Sequence, residues 1–245
     1  MLHQAYGLQK DFELPNYSTA MTRAVVDIIL NFYVKTSSNI HFYEAAQDLN
    51  STELNYDIIN EILCHVQSKI VIHLEGLINL KVTNQKRVHN ILFVDSYESF
   101  LQVFRLMSPE YFNYQGFYLI VIIKYTSDQY YMMQNIFDML WEEYIINVNI
   151  IWATPMNQNE AIMFTYYPYT NFYCGNAYPI QLNQYRFNRW LHLQSVHFPN
   201  KIQNLYGCKL KVSTFLTAPF MMTTLDENGD TIPNGIDGIL LKVLA

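Results

Sequence analysis

Residues 117–123 read Phe-Tyr-Leu-Ile-Val-Ile-Ile, apolar at every position. A strand with one wet face alternates polar and apolar residues, so an unbroken apolar run of this length predicts a strand covered on both faces. The run is far shorter than the ~20 residues a membrane-spanning helix needs. It is also the longest of its kind in the chain. A doubly covered strand belongs inside a layered α/β structure, and the remaining patterns agree. Ser18 or Thr19 can cap a helix with Met21, Val25, Ile28 and Phe32 on one side and Arg23, Asp27 and Asn31 on the other. Residues 39–43 and 69–74 read as strands around a second amphipathic helix carrying Leu54, Ile58, Ile62 and Val66. Residues 91–94 form a strand that ends at Asp95-Ser96, and a helix with Phe100, Phe104 and Met107 follows. Asp128 opens a long helix with Met133, Ile136, Leu140 and Tyr144 on its apolar side, and residues 148–152 and 162–167 close the series as strands.

Helices alternating with buried strands predict an α/β sandwich around a mostly parallel sheet. Such sheets hold ligands at the carboxyl ends of their strands. Between residues 168 and 198 the pattern loosens into an aromatic, Asn-rich stretch, and a new unit begins near Asn204. The chain has 245 residues, 51% hydrophobic and 15% charged, enough apolar material for a real core. Its formal charge of −6 is spread thinly, with no Lys/Arg cluster that would form a phosphate-binding face. Nucleic acid is therefore not an expected partner. Residues 1–15 carry Lys10, Asp11 and Glu13 and lack the apolar core of a signal peptide.

The motifs of common catalytic chemistry are missing from the sequence. It has no nucleophile elbow, no phosphate-binding glycine loop and no zinc-protease helix. Asp95 follows a buried strand, where α/β enzymes place reactive groups, but a helix N-cap is the simpler expectation. Glu142 and Glu143 are adjacent and point about 100° apart on a helix, which suits a solvated face. His65, His73, His89, His192 and His197 show no ligand spacing, so neither a metal nor a cofactor is expected. Cys64 reads as a buried free thiol. Cys174 and Cys208 lie in polar, loop-like contexts and are candidates for a disulfide in an oxidising compartment. Asn16 and Asn50 each begin an N-glycosylation acceptor pattern just before a predicted helix, where exposure is expected.

The final forty residues carry more specific wording. Residues 204–215 read Asn-Leu-Tyr-Gly-Cys-Lys-Leu-Lys-Val-Ser-Thr-Phe, an alternating strand. Ala218-Pro219-Phe220 makes a bend, a polar turn spans 226–230, and Gly235-Ile236-Asp237-Gly238 opens a helix. This succession resembles the first strand and helix of the two-lobed, periplasmic-binding-protein-like ligand domain of ionotropic glutamate receptors. The segments 141–152, 164–169 and 198–208 narrow the resemblance to the divergent insect ionotropic receptors used in chemosensation.

The resemblance implies a receptor fragment in two parts. Residues 1–203 would be an extracellular amino-terminal α/β domain of the periplasmic-binding-protein type. Residues 204–245 would be the truncated start of the ligand-binding domain, a second lobe left incomplete. The intact receptor would be a plasma-membrane, ligand-gated channel subunit, joined to other subunits as a hetero-oligomer and anchored only by a pore module absent from this chain. Its ligand would be a small molecule whose principal contacts lie beyond Ala245. Thr217 stands where glutamate receptors carry a Glu, so it is carried over as a pocket edge without the charge that would meet an ammonium group. Pro219 and Phe220 match the family's Pro-aromatic pair, with packing as their expected role. Two readings of other classes remain: a soluble secreted binding or decoy protein, and a small α/β enzyme.

Overall fold

In the computed structural model, the apolar run becomes the central strand of an eight-stranded sheet. The structure describes residues 18–37, 39–66, 71–75, 85–124, 128–153, 159–192, 197–209 and 215–244. They belong to two compact units, residues 1–206 and 207–245.

In the first unit, α1 (Ser18–Ile28) runs through a π-helical turn (Ile29–Tyr33) into the short α2 (Val34–Thr36). Next come β1 (Asn39–Ala45), α3 (Leu49–Val66), β2 (Val71–Glu75), β3 (Arg87–Val94), α4 (Tyr97–Phe104) and β4 (Phe112–Ile122). The unit is completed by α5 (Gln129–Glu142), β5 (Val148–Ala153), β6 (Glu160–Thr165), β7 (Ile180–Arg186) and β8 (Arg189–Trp190). The strand order is β2-β1-β3-β4-β5-β6-β7-β8, parallel from β2 to β5 and antiparallel from there on.

Alternation along the strands explains the two-sided burial. Leu119 and Val121 of β4, Ile91 and Phe93 of β3, and Ile40 and Phe42 of β1 enter a core shared with Val25 and Ile28 of α1 and Ile58 and Ile62 of α3. The intervening Tyr118, Ile120 and Ile122, with Leu92 and Val94, enter a second core with Phe100 and Val103 of α4 and Met133, Ile136 and Leu140 of α5. The fold is thus a three-layer α/β sandwich, as its sequence patterns predict, of the periplasmic-binding-protein-like type that the resemblance implies. Strand order 2-1-3-4-5 places a topological switch between β1 and β3, whose following helices lie on opposite faces.

Several sequence expectations are corrected. The helix opened by Asp128 ends at Glu142, and Tyr144 is exposed instead of lying on the apolar side. The loosened stretch after residue 168 contains β7 and β8, an antiparallel pair that its polar composition hid. Cys64 is exposed, because α3 buries Ile62 and Val66 and position 64 turns away between them.

The second unit contains β9 (Met222–Leu225), β10 (Thr231–Asn234) and α6 (Gly235–Leu244), the two strands forming an antiparallel hairpin. Asp226 closes its turn by accepting from the amides of Asn228 at 2.9 Å and Asp230 at 2.8 Å. Gly235 has φ 81°, and a Cβ there would lie 2.7 Å from the Pro219 carbonyl oxygen and 2.6 Å from that of Phe220. Those carbonyls accept from the first amides of α6, Ile236 at 3.3 Å and Asp237 at 2.9 Å. The Pro-aromatic pair therefore contributes its backbone to the helix start, while the Phe220 ring is exposed and not packed as expected. The alternating strand predicted over 204–215 is corrected at residues 204–209 and 215, which form turn and loop, while residues 210–214 lie outside the described residues.

Candidate functional site

The switch point lies where the chain leaves β1, β3 and β4 at their carboxyl ends, and three strand-to-helix turns supply its side chains. After β1, Asp48 caps α3. Its carboxylate accepts from the Ser51 amide at 2.8 Å, the Ser51 hydroxyl at 3.0 Å and Lys124 Nζ at 2.9 Å. These donors, the Ser51 amide first, hold the Asp48 carboxyl down to about 2. The same pairing raises the Lys124 ammonium. Both groups are solvated, so the pair orients the turn more than it stabilises the fold.

After β3, Asp95 is buried. It accepts from the Gln47 backbone N–H at 2.9 Å, the Ser99 hydroxyl at 2.5 Å and the Ser96 hydroxyl at 3.0 Å. The expectation that Asp95 itself is the N-cap is corrected. Ser96 holds that position and accepts from Ser99 N at 3.2 Å, while Ser99 Oγ accepts from Ser96 N at 3.0 Å. Both hydroxyl protons are thereby directed to Asp95, one residue upstream of the cap. The carboxylate ties the turn after β1 to the start of α4.

After β4, Gln129 occupies the first turn of α5. Asp128 stands at the N-cap but makes no side-chain capping bond. Gln129 is 3% exposed, and neither its amide nitrogen nor its amide oxygen has a hydrogen-bond partner. Each such unmet buried group costs about 1–3 kcal/mol. No pattern in the residues signals this, because a polar residue in a helix's first turn is ordinarily solvated. The carboxyl edge of the sheet thus carries a buried amide without a partner, a helix amino terminus without a side-chain cap, and the Lys124–Asp48 pair. It offers no aligned nucleophile and base among the described residues.

The residues singled out from sequence do not converge here. Thr217 is exposed in the second unit and exchanges backbone hydrogen bonds with Met221 at 2.9 and 2.8 Å. Asn50 is exposed in the first turn of α3, not ahead of it, and the Ser51 and Thr52 hydroxyls of its acceptor pattern both donate to Asp48. Asn16 lies outside the described residues. Cys174 and Cys208 are disulfide-bonded, whereas Cys64 is a free thiol. Glu142 and Glu143 are exposed. Among the described residues, His41 on β1 and His89 on β3 are the buried imidazoles. His89 Nε2 and the Thr36 hydroxyl share a 2.9 Å hydrogen bond.

A doubly wound, mostly parallel sheet defines the periplasmic-binding-protein-like class of α/β fold. The sequence model of one family, described as "Putative ionotropic receptor, ligand binding domain", matches residues 11–204. This chain belongs to that family. No curated protein and no solved structure matches it. The family is one of receptors, not of enzymes. No helix among the described residues is long and apolar enough to cross a membrane.

Proposed function

We propose that the chain is the extracellular ligand-recognition portion of a ligand-gated channel subunit, of the divergent chemosensory type found in insects. The family match over residues 11–204 carries this reading. The buried, unmet Gln129 amide at the switch point supports small-molecule recognition within the first unit. A group that must both donate and accept selects a ligand bearing a carboxyl, amide or hydroxyl function, and the uncapped start of α5 favours a partial negative charge beside it.

In this reading residues 1–203 are the amino-terminal domain, and residues from 204 begin the ligand-binding domain, with Thr217 at a pocket edge. The hairpin and the glycine-shaped start of α6 support that beginning. The subunit assembles with others on the outer side of the plasma membrane, where Asn16 and Asn50 carry glycans and Cys174 pairs with Cys208. The disulfide-bonded state of both cysteines and the exposure of Asn50 support an oxidising, extracellular setting.

Sequencing the complete transcript tests the channel assignment. Membrane-length apolar segments downstream, followed by a second ligand-domain segment, are expected. A stop codon directly after Ala245 would overturn it and favour a secreted binding protein.

A further inference from the structure

A second concave site lies at the opposite, amino-terminal edge of β4 and β5. It is a cavity of about 600 Å³ within the first unit, walled by the rings of Tyr114, Phe117, Tyr144 and Phe198 and rimmed by the amide side chains of Gln115 and Asn147. That volume falls in the range that accommodates drug-sized ligands, and rings with a few amides are the usual lining of such sites.

Three further observations concern the same walls. Phe117 and Phe198 are 5.2 Å apart between ring centroids, and each lies 4.8 Å from Phe32. Phe32 belongs to the π-helical turn, a departure from α-helix found mostly at functional positions. Its neighbour Tyr33 is fully buried against Phe198, with a hydroxyl that has no hydrogen-bond partner.

Tyr144 stands at the mouth in a left-handed conformation, φ 57°. It occupies the position that glycine usually takes in a Schellman helix end, with Tyr144 N–H donating to Trp141 O at 2.9 Å and Ile145 N–H to Leu140 O at 2.8 Å. A Cβ in that conformation is unfavourable. The ring itself is 71% exposed, so core packing does not explain it.

The charge of the walls narrows the ligand. No carboxylate lines the cavity. Its one cationic side chain, Lys201, donates to the Ile146 and Val148 carbonyls at 2.7 and 3.1 Å and lies 4.6 Å from the centre of the Tyr166 ring. Burial pushes that ammonium well down towards the neutral amine. Neither an anion nor a cation finds a counter-charge there.

We propose that this ring-walled cavity is a second ligand site, distinct from the carboxyl-edge crevice, which takes an uncharged aromatic molecule with Tyr144 closing over it. N-phenyl-1-naphthylamine, a neutral fluorescent aromatic, is the probe, titrated into the full chain and into four variants. Saturable one-to-one binding is expected, weakened at least tenfold by Tyr144→Gly and by Ile202→Glu, which sets a carboxylate at the mouth. Tyr144→Gly relieves the backbone, so lost binding there cannot be ascribed to unfolding. Phe172→Ala, at an exposed ring elsewhere, and Gln129→Met, at the other edge, are expected to bind as the wild type does. Absence of saturable binding overturns the proposal. So does equal weakening by Phe172→Ala, which would mean non-specific adsorption. Weakening by Gln129→Met but not by Tyr144→Gly would place the probe at the carboxyl edge and also overturn it.

Discussion

The two edges of the central sheet are built from opposite chemistry. At the carboxyl edge, strand-to-helix turns present helix amino termini, whose unpaired N–H groups call for acceptors. Asp48, Asp95 and Ser96 answer that need, and Lys124 balances the resulting charge. At the amino edge the helices arrive with their carbonyls, and the polar requirement reverses. Beside the end of α5 a buried lysine donates to the carbonyls of Ile146, in the loop, and Val148, at the start of β5, and rings wall the cavity there. The turns at the carboxyl edge thus carry the solvated Lys124–Asp48 pair, whereas the cavity at the amino edge of β4 and β5 is ring-lined.

The largest test of this contrast is Asp95→Ala. It leaves the Gln47 amide and two hydroxyls without their acceptor in a buried place, so a loss of about 3 kcal/mol is expected by urea denaturation. Asp95→Asn keeps some acceptors and should lose less. A loss below 1 kcal/mol for the alanine variant would show that the carboxyl edge is not held by this carboxylate.

Acid should weaken the imidazole-bearing part of the sheet next. Burial holds His89 at about 4, well below the ordinary value near 6.5, and His41 and His197 are lowered in the same direction by the same cause. As the pH falls, the unfolded chain takes up these protons first. Stability present above pH 6.5 is therefore lost towards pH 4, with His89 contributing at most about 3 kcal/mol. Denaturation at pH 7 and pH 4.5 measures it, and His89→Gln should flatten the profile.

A smaller effect of opposite sign is expected from Gln129→Met. Removing two unmet buried polar atoms should stabilise the fold by about 1–2 kcal/mol while removing the crevice's recognition group. The smallest is Tyr144→Gly, which should stabilise by about 1 kcal/mol by giving the left-handed helix end a residue suited to it. Thermal melts of the two variants would show whether both edges carry residues kept against stability.

The interior was legible and the edges largely were not. The run 117–123 announced its doubly covered strand because the alternation needed to place Leu119 and Ile120 in separate cores is invisible only when both faces are apolar. The helices carrying Val25, Ile58 and Ile136 followed from their spacing. β7 escaped because its buried Asn183 is satisfied by the His192 backbone, donating to the carbonyl and accepting from the amide at 3.1 Å each, a pairing no periodicity reveals. Asp95 was half legible: its place after a strand marked it, but the hydroxyls of Ser96 and Ser99 decide what it does. Gln129 and Lys201 could not be read at all. Each is an ordinary polar residue in sequence, and only the chain's return in space buries it. The family match covers residues 11–204, upstream of most of the final forty residues whose wording carries the resemblance, so the periodic α/β part and not that segment holds the family's signature.

The central claim is that the first unit recognises a small polar ligand at the carboxyl edge through Gln129. Thermal-shift titration of the wild-type chain and Gln129→Met with short carboxylic acids, amino acids and amines tests it most directly. The account predicts that at least one acid or amino acid raises the wild-type midpoint in a concentration-dependent way, and that the already more stable Gln129→Met chain shows no such rise. A wild-type chain indifferent to the whole panel, or a shift that survives Gln129→Met unchanged, would contradict it.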